Sequence, residues 1–152
     1  MKRIGITGQN GFIGSHLYNT LKLYPNEFDL IEFKRDFFED DSVLDYFVKQ
    51  CDVIIHLAAL NRHNEAGIIY NTNTSLVKKL INSLERTNST PHILFSSSSQ
   101  EERDNLYGKS KRDSRILLSD WSAKSGGKFS GLIIPNVFGP FGKPFYNSVI
   151  AT

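Results

Sequence analysis

Two rhythms alternate along this chain. Short apolar runs bounded by turn residues give way to longer stretches whose apolar positions recur every three or four residues. Met1-Lys2-Arg3-Ile4 opens the first run, which leads into Gly5-Ile6-Thr7-Gly8-Gln9-Asn10-Gly11-Phe12-Ile13-Gly14. Ser15 to Leu21 then reads as a helix. After the Pro25-Asn26 turn, Phe28 to Phe33 reads as a second strand that ends in Lys34-Arg35-Asp36. Residues 41–50 have helical spacing, with Ser42 expected as the N-cap. Asp52 to Ala59 is an apolar run of the kind found in buried parallel strands.

The second half repeats the alternation. Residues 66–87 carry a longer helical pattern that includes Asn71 and Asn73. Pro91 opens the strand His92 to Phe95, and the four serines Ser96 to Ser99 follow directly. A helix from about Asn105 to Ala123 carries Tyr107 and Lys111. Phe129 to Ile134 is a fifth strand, ending at Pro135-Asn136. Strands alternating with helices predict an α/β fold, a doubly wound parallel sheet covered on both faces.

Composition narrows the class. A chain of 152 residues has room for one domain. The net charge is +2 with no basic run, which argues against nucleic acid as a partner. No apolar stretch approaches the ~20 residues of a membrane span, so no membrane is expected. The N-terminus runs straight into the glycine stretch and does not read as a signal peptide. Cys51, the single cysteine, excludes an internal disulfide and fits a reducing, cytoplasmic setting. It is expected to serve as a small hydrophobe at the start of the third strand.

The candidate chemistry gathers at strand ends. A strand, a glycine turn and a helix N-terminus form an anion site, because the first N–H groups of the helix are free and its dipole favours negative charge. Glycines 8, 11 and 14 give the spacing G-x-x-G-x-x-G. In a parallel sheet, ligands bind beyond the carboxyl ends of the strands. Thr7 to Gly14, Lys34-Arg35, Leu57-Ala58-Ala59 and Ser96 to Ser99 all fall there. At the end of the second strand, cations suit the 2′-phosphate of NADP and a carboxylate suits the ribose of NAD. Lys34 and Arg35 favour NADP, and Asp36 keeps NAD open.

Tyr107 and Lys111 stand four residues apart and share a helix face. A nearby ammonium is expected to lower the phenol pKa and suit Tyr107 to proton transfer with a carbonyl oxygen. Ser98 is placed to donate a second hydrogen bond to that oxygen. Of the histidines, His56 reads as a satisfied core residue and His16 as one that packs or caps. His63 falls in a polar loop and His92 begins a strand. No spacing with Asp or Glu builds a metal site, so none is expected.

At these residues the chain resembles the extended short-chain dehydrogenase/reductases. The matching pieces are Thr7 to Gly14, His56-Leu57-Ala58-Ala59, Asn71, Ser96-Ser97-Ser98, Tyr107-Gly108-Lys109-Ser110-Lys111 and Pro135-Asn136-Val137-Phe138-Gly139-Pro140. The resemblance implies a three-layer Rossmann fold, a nicotinamide cofactor and a nucleotide-sugar substrate. It assigns Ser98, Tyr107 and Lys111 to catalysis, with Ser97 the fallback for Ser98. To the cofactor it assigns Thr7, Gly8, Asn10, Gly11, Phe12, Ile13, Gly14, Lys34, Arg35, Leu57, Ala58, Ala59 and Asn71, together with Tyr107 and Lys111. To the substrate it assigns Arg62, Ser97 and Asn136. A homodimer packed through the Tyr107 helix and the long helix before it is also implied; Ile116, Leu117 and Leu118 allow that, and equally an intrachain core.

A narrower resemblance joins His56 to Arg62, Asp104 to Lys111, Pro135 to Gly139 and Lys143 to Thr152 to the capsular-polysaccharide reductases. It implies NADPH-dependent reduction of the 4-keto group of a UDP-2-acetamido-2,6-dideoxyhexulose, a precursor of N-acetyl-L-fucosamine. That family couples the reductase domain to a C-terminal cupin. Residues 1–152 are thus expected to be the NAD(P)-binding domain of a longer protein, without the later strands and the sugar-binding lobe. Other readings stay open. A 4-epimerase uses the same hydride chemistry, and a non-catalytic dinucleotide-binding module would share the fold. A 4,6-dehydratase is disfavoured, because Ser98 is followed by Ser99-Gln100 and not by an Asp-Glu pair.

Overall fold

A computed structural model describes residues 1–142. The resembling segment from Lys143 to Thr152, and the helix expected to begin in it, lie outside the described residues. Five strands, β1 (Lys2–Thr7), β2 (Phe28–Ile31), β3 (Val53–His56), β4 (His92–Ser98) and β5 (Phe129–Ile134), form one sheet in the order β2-β1-β3-β4-β5. Every neighbouring pair is parallel. The helices between them are α1 (Phe12–Leu21), α2 (Asp41–Gln50), α3 (Ala66–Thr87) and α4 (Leu106–Ser125).

Right-handed crossovers with this strand order put α1 on one face and α2, α3 and α4 on the other. The chain steps from β1 out to β2 and then back across to β3, so the winding reverses between β1 and β3. That switch point is where an open α/β sheet takes its ligands.

The core lies under the three-helix face. Ile54 and Ile93 of the central strands meet Leu44, Phe47 and Val48 of α2, Val77, Leu80 and Leu84 of α3, and Leu118 and Trp121 of α4. Each such side chain contributes about 1.5–3 kcal/mol on burial. On α4 the three apolar residues divide. Leu118 is buried in the core, Leu117 is partly buried against it, and Ile116 is 47% exposed.

Some boundaries differ from expectation. β2 ends at Ile31, and Phe33 turns into the core to pack edge-on against Phe38 and Phe47. A 3-10 turn, Arg35–Glu39, follows. The cap of α2 is Asp40, not Ser42, because its carboxylate accepts from the backbone N–H of Ser42 at 2.9 Å and of Val43 at 3.2 Å. A negative charge there also suits the helix dipole. Cys51 caps the other end of α2 and precedes β3; burial pushes its thiol up to about 12. β4 runs on through Ser96, Ser97 and Ser98, which pair with Leu132, Ile133 and Ile134 of β5. Among the described residues no helix is long and apolar enough to cross a membrane.

Candidate active site

The switch point is built from backbone. Gly8 has φ +79°, and a Cβ there would lie 2.8 Å from the Ala58 nitrogen. The turn is closed by Gly11 N–H to the Gly8 carbonyl at 2.9 Å. Gly14 is buried, and a Cβ on it would stand 2.1 Å from the Gly8 oxygen, so only glycine lets α1 start this close to the turn. Gly11, as N-cap of α1, offers no side-chain cap, and the first turn carries no acid. The opening N–H groups of a ten-residue helix are thus left for an anion. These features fit the pyrophosphate of a dinucleotide. Asn10 is exposed beside them, and Phe12 and Ile13 are half-buried.

Thr7 sits at the end of β1 but is fully buried. Its hydroxyl meets His56 Nδ1 at 2.8 Å and accepts from Ala58 N–H at 3.3 Å. Leu57 N–H donates to the Thr7 carbonyl at 3.0 Å. Thr7 therefore ties the glycine turn to the Leu57-Ala58-Ala59 segment, and its side chain is spent inside. His56 stacks on Phe95 and meets Phe38 edge-on; burial pushes it down to about 3 and keeps it neutral. Its Nε2 has no partner among the described residues, so it is only half-satisfied.

Lys34 and Arg35 are exposed beyond the end of β2. Lys34 pairs loosely with Glu32 at 3.6 Å, both side chains largely in solvent, a contact worth under ~1 kcal/mol. Arg35 opens the 3-10 turn and forms no ion pair among the described residues. Arg62 and Asn136 are exposed on the loops after β3 and β5.

The three groups expected to act together do converge. The Ser98 side chain lies near enough to the Tyr107 phenol to favour its ionised form. Lys111 is only 4% exposed, its Nζ donates to the Ser96 carbonyl at 2.9 Å, and the ammonium lies 5.8 Å from the centre of the Tyr107 ring. Burial lowers Lys111 to about 8, leaving it mostly cationic at neutral pH. The phenol runs against expectation: burial raises its pKa and outweighs the lowering by Ser98. Tyr107 is thus protonated at neutral pH. Ser97, on the opposite face of β4, gives its hydroxyl to Glu101.

One residue of this assembly was missed. Asn71 lies exposed on α3, whereas Asn73 is buried. Asn73 Oδ1 accepts from Leu60 N–H at 2.7 Å, and its Nδ2 donates to the Leu60 carbonyl and to Ser110 Oγ, both at 3.1 Å. Ser110 in turn donates to the Tyr107 carbonyl at 2.7 Å. Asn73 therefore braces the loop after β3 against the first turns of α4. The signal was present: Ile69, Asn73, Val77, Leu80 and Leu84 fall on one helical stripe, and Asn71 does not.

A profile of the NAD dependent epimerase/dehydratase family matches residues 4–152. Over 150 residues the chain is 31% identical to a UDP-2-acetamido-2,6-beta-L-arabino-hexul-4-ose reductase of Pseudomonas aeruginosa, covering 99% of this chain and 40% of that protein. The chain thus spans 40% of the length of this curated relative. The capsular polysaccharide assembling protein CapF of Staphylococcus aureus superposes with a TM-score of 0.75 at 32% identity, over 99% of this chain and 40% of CapF. The RMD protein of Pseudomonas aeruginosa, solved with NADPH, shares the fold with a TM-score of 0.82 at 21% identity, over 94% of this chain and 56% of that one. With the match running from β1 through β5, over a sheet whose glycine turn stands at its switch point, this chain belongs to the NAD dependent epimerase/dehydratase family.

Proposed function

We propose that this chain is the cofactor-binding domain of a nucleotide-sugar reductase. The reaction is NADPH-dependent reduction of the 4-keto group of a UDP-2-acetamido-2,6-dideoxyhexulose. The observation that carries this reading is the buried Lys111 ammonium, bonded to the Ser96 carbonyl at 2.9 Å and 5.8 Å from the centre of the Tyr107 ring, at the sheet edge that also holds the glycine turn. Support for the substrate comes from the 31% identity to a reductase of that class.

The turn from Gly8 to Gly14 and the start of α1 would hold the pyrophosphate, and Lys34 with Arg35 the 2′-phosphate. A bound nicotinamide supplies hydride to the carbonyl carbon. Tyr107 carries the proton that the carbonyl oxygen must gain, and its raised pKa keeps that proton in place at neutral pH. Ser98 offers a second donor to the same oxygen and shares the developing charge. Once the phenol has given up its proton, Lys111 lies close enough to stabilise the phenolate. Arg62 and Asn136 are candidates for contacts with the nucleotide sugar, and Ser97, committed to Glu101, supports the strand. The proposal extends to a cytoplasmic homodimer in which the exposed Ile116 of α4 faces a second copy.

The test is a paired titration and turnover measurement on the full-length protein. NADPH should bind more tightly than NADH, and Arg35→Ala should erase most of the difference. With the 4-keto sugar, NADPH should be consumed in proportion to sugar reduced, and Tyr107→Phe should cut turnover about 100-fold or more while sparing NADPH binding. Turnover retained by Tyr107→Phe refutes the assignment. Sugar interconversion without net NADPH loss replaces reduction by epimerisation.

A further inference from the structure

Glu101 is a buried carboxylate for which the chemistry above has no use. It is 5% exposed and lies in the 3-10 turn Ser99–Glu102, which joins β4 to the segment before α4. Its Oε1 takes the Ser97 hydroxyl and the Arg115 Nε, the latter at 2.9 Å. Its Oε2 takes Arg115 Nη2 at 2.7 Å. The Arg115 guanidinium holds the carboxyl below its ordinary range, against the opposing effect of burial, so the pair is ionised at neutral pH.

The partners of this one group are telling. Ser97 is the strand neighbour of Ser98, and Arg115 stands two helical turns beyond Tyr107 on α4. The turn that Glu101 anchors also supplies Gln100 N–H, which donates to Ser98 Oγ at 3.2 Å. That bond fills an acceptor site on the hydroxyl and leaves its hydrogen to be donated. The same turn rests directly on the catalytic helix: a Cβ on Gly108 would stand 1.9 Å from the Gln100 oxygen.

We infer that the Glu101–Arg115 ion pair is the positioning device that sets the Ser98 hydroxyl against the Tyr107 phenol, by clamping strand, turn and helix through one carboxylate. Its consequence for turnover rests on the reductase reading above; its effect on Ser98 and Tyr107 does not. The carboxylate stays on the Ser97 side of β4, so it acts through Ser98 and not on substrate. Removing its charge leaves Arg115 without its counter-ion and loosens the turn that aims Ser98.

The experiment follows Tyr107 itself in this chain, labelled with 13C at the tyrosine ζ carbon and assigned with Tyr107→Phe. In Glu101→Gln, displacement of the Ser98 hydroxyl, which favours the ionised phenol, should move the Tyr107 titration midpoint upward. Ser97→Ala, which cuts only the strand contact, should move it in the same direction. Arg115→Lys, which keeps the charge, should restore most of the parent midpoint where Arg115→Met does not. Circular dichroism establishes that each variant is folded; should Glu101→Gln not fold, Ser97→Ala carries the test alone. A parent-like Tyr107 midpoint in folded Glu101→Gln, or in Ser97→Ala, overturns the inference. In the full-length protein the matching result is a kcat lowered about tenfold, with the NADPH dissociation constant unchanged. A moved midpoint without any NADPH-dependent reduction supports the clamp and refutes the reductase reading alone.

Discussion

Asn73→Ala isolates a brace that the apolar pattern places but does not explain. Three hydrogen bonds disappear with the side chain, two to Leu60 and one to Ser110. A typical protein hydrogen bond is worth about 0.5–1.5 kcal/mol net, and a buried partner left unmet costs about 1–3 kcal/mol. Leu60 is only half-buried, so water replaces much of what its backbone loses. Ser110 is fully buried but keeps its own bond to the Tyr107 carbonyl. Alanine returns roughly 0.5 kcal/mol in helix propensity. The expected loss is about 2–4 kcal/mol, a large share of the ~5–15 kcal/mol that holds a domain folded. At this size it lowers Tm by roughly 5–15 °C. Asn71→Ala, exposed on the same helix, should stay within about 0.5 kcal/mol of the parent. Urea unfolding of both variants, followed by circular dichroism, gives the comparison. If Asn73→Ala loses under about 1 kcal/mol, or no more than Asn71→Ala, the brace between the β3 loop and α4 does not exist as described.

Two further predictions come from buried ionisable groups. His56 is held neutral down to about pH 3, whereas in the unfolded chain it titrates near 6.5. The unfolded state therefore binds the extra proton in that window, so stability is full above about pH 6.5 and falls as pH drops towards 3. About 2–3 kcal/mol should be lost between pH 6.5 and 4.5, at 1.36 kcal/mol per unit, and His56→Gln should keep most of it; parallel pH curves for the two proteins contradict this. Lys111 acts with the same sign at higher pH. Its pKa is lowered to about 8 from an unfolded value near 10.5, so stability rises as pH climbs through that interval. Lys111→Met should be more stable than the parent at pH 7 and should lack the alkaline rise; an unchanged rise assigns it to other groups.

The elements of this fold were legible because their signals are local. Apolar runs at Asp52–Ala59 and helical spacing over residues 66–87 each lie within one element, and the sheet order then follows from handed crossovers. Serines 96 to 98 read as the residues that follow a strand ending at Phe95, because the apolar run stops there. Their backbone ladder to β5 decided otherwise, and that partner lies more than thirty residues away. Asn71 and Asn73 differ only in helical phase, which the apolar stripe encodes once it is read through the polar position.

Ionisation is where local rules gave way. A cation four residues from a phenol argues for a lowered pKa, yet the protein's own packing around Tyr107 pushes it up. Burial is a property of the finished fold, summed over contacts that no spacing rule contains. The same holds for Glu101. Read along the chain it is one of two adjacent acids, Glu101 and Glu102, and only the fold brings it to Ser97 and Arg115. Sequence thus names the groups able to do chemistry at this sheet edge, while their protonation and aim are set by residues distant in the chain. Substitutions at Asn73 and Glu101 should for that reason perturb Tyr107 more than changes at its exposed sequence neighbour Leu106.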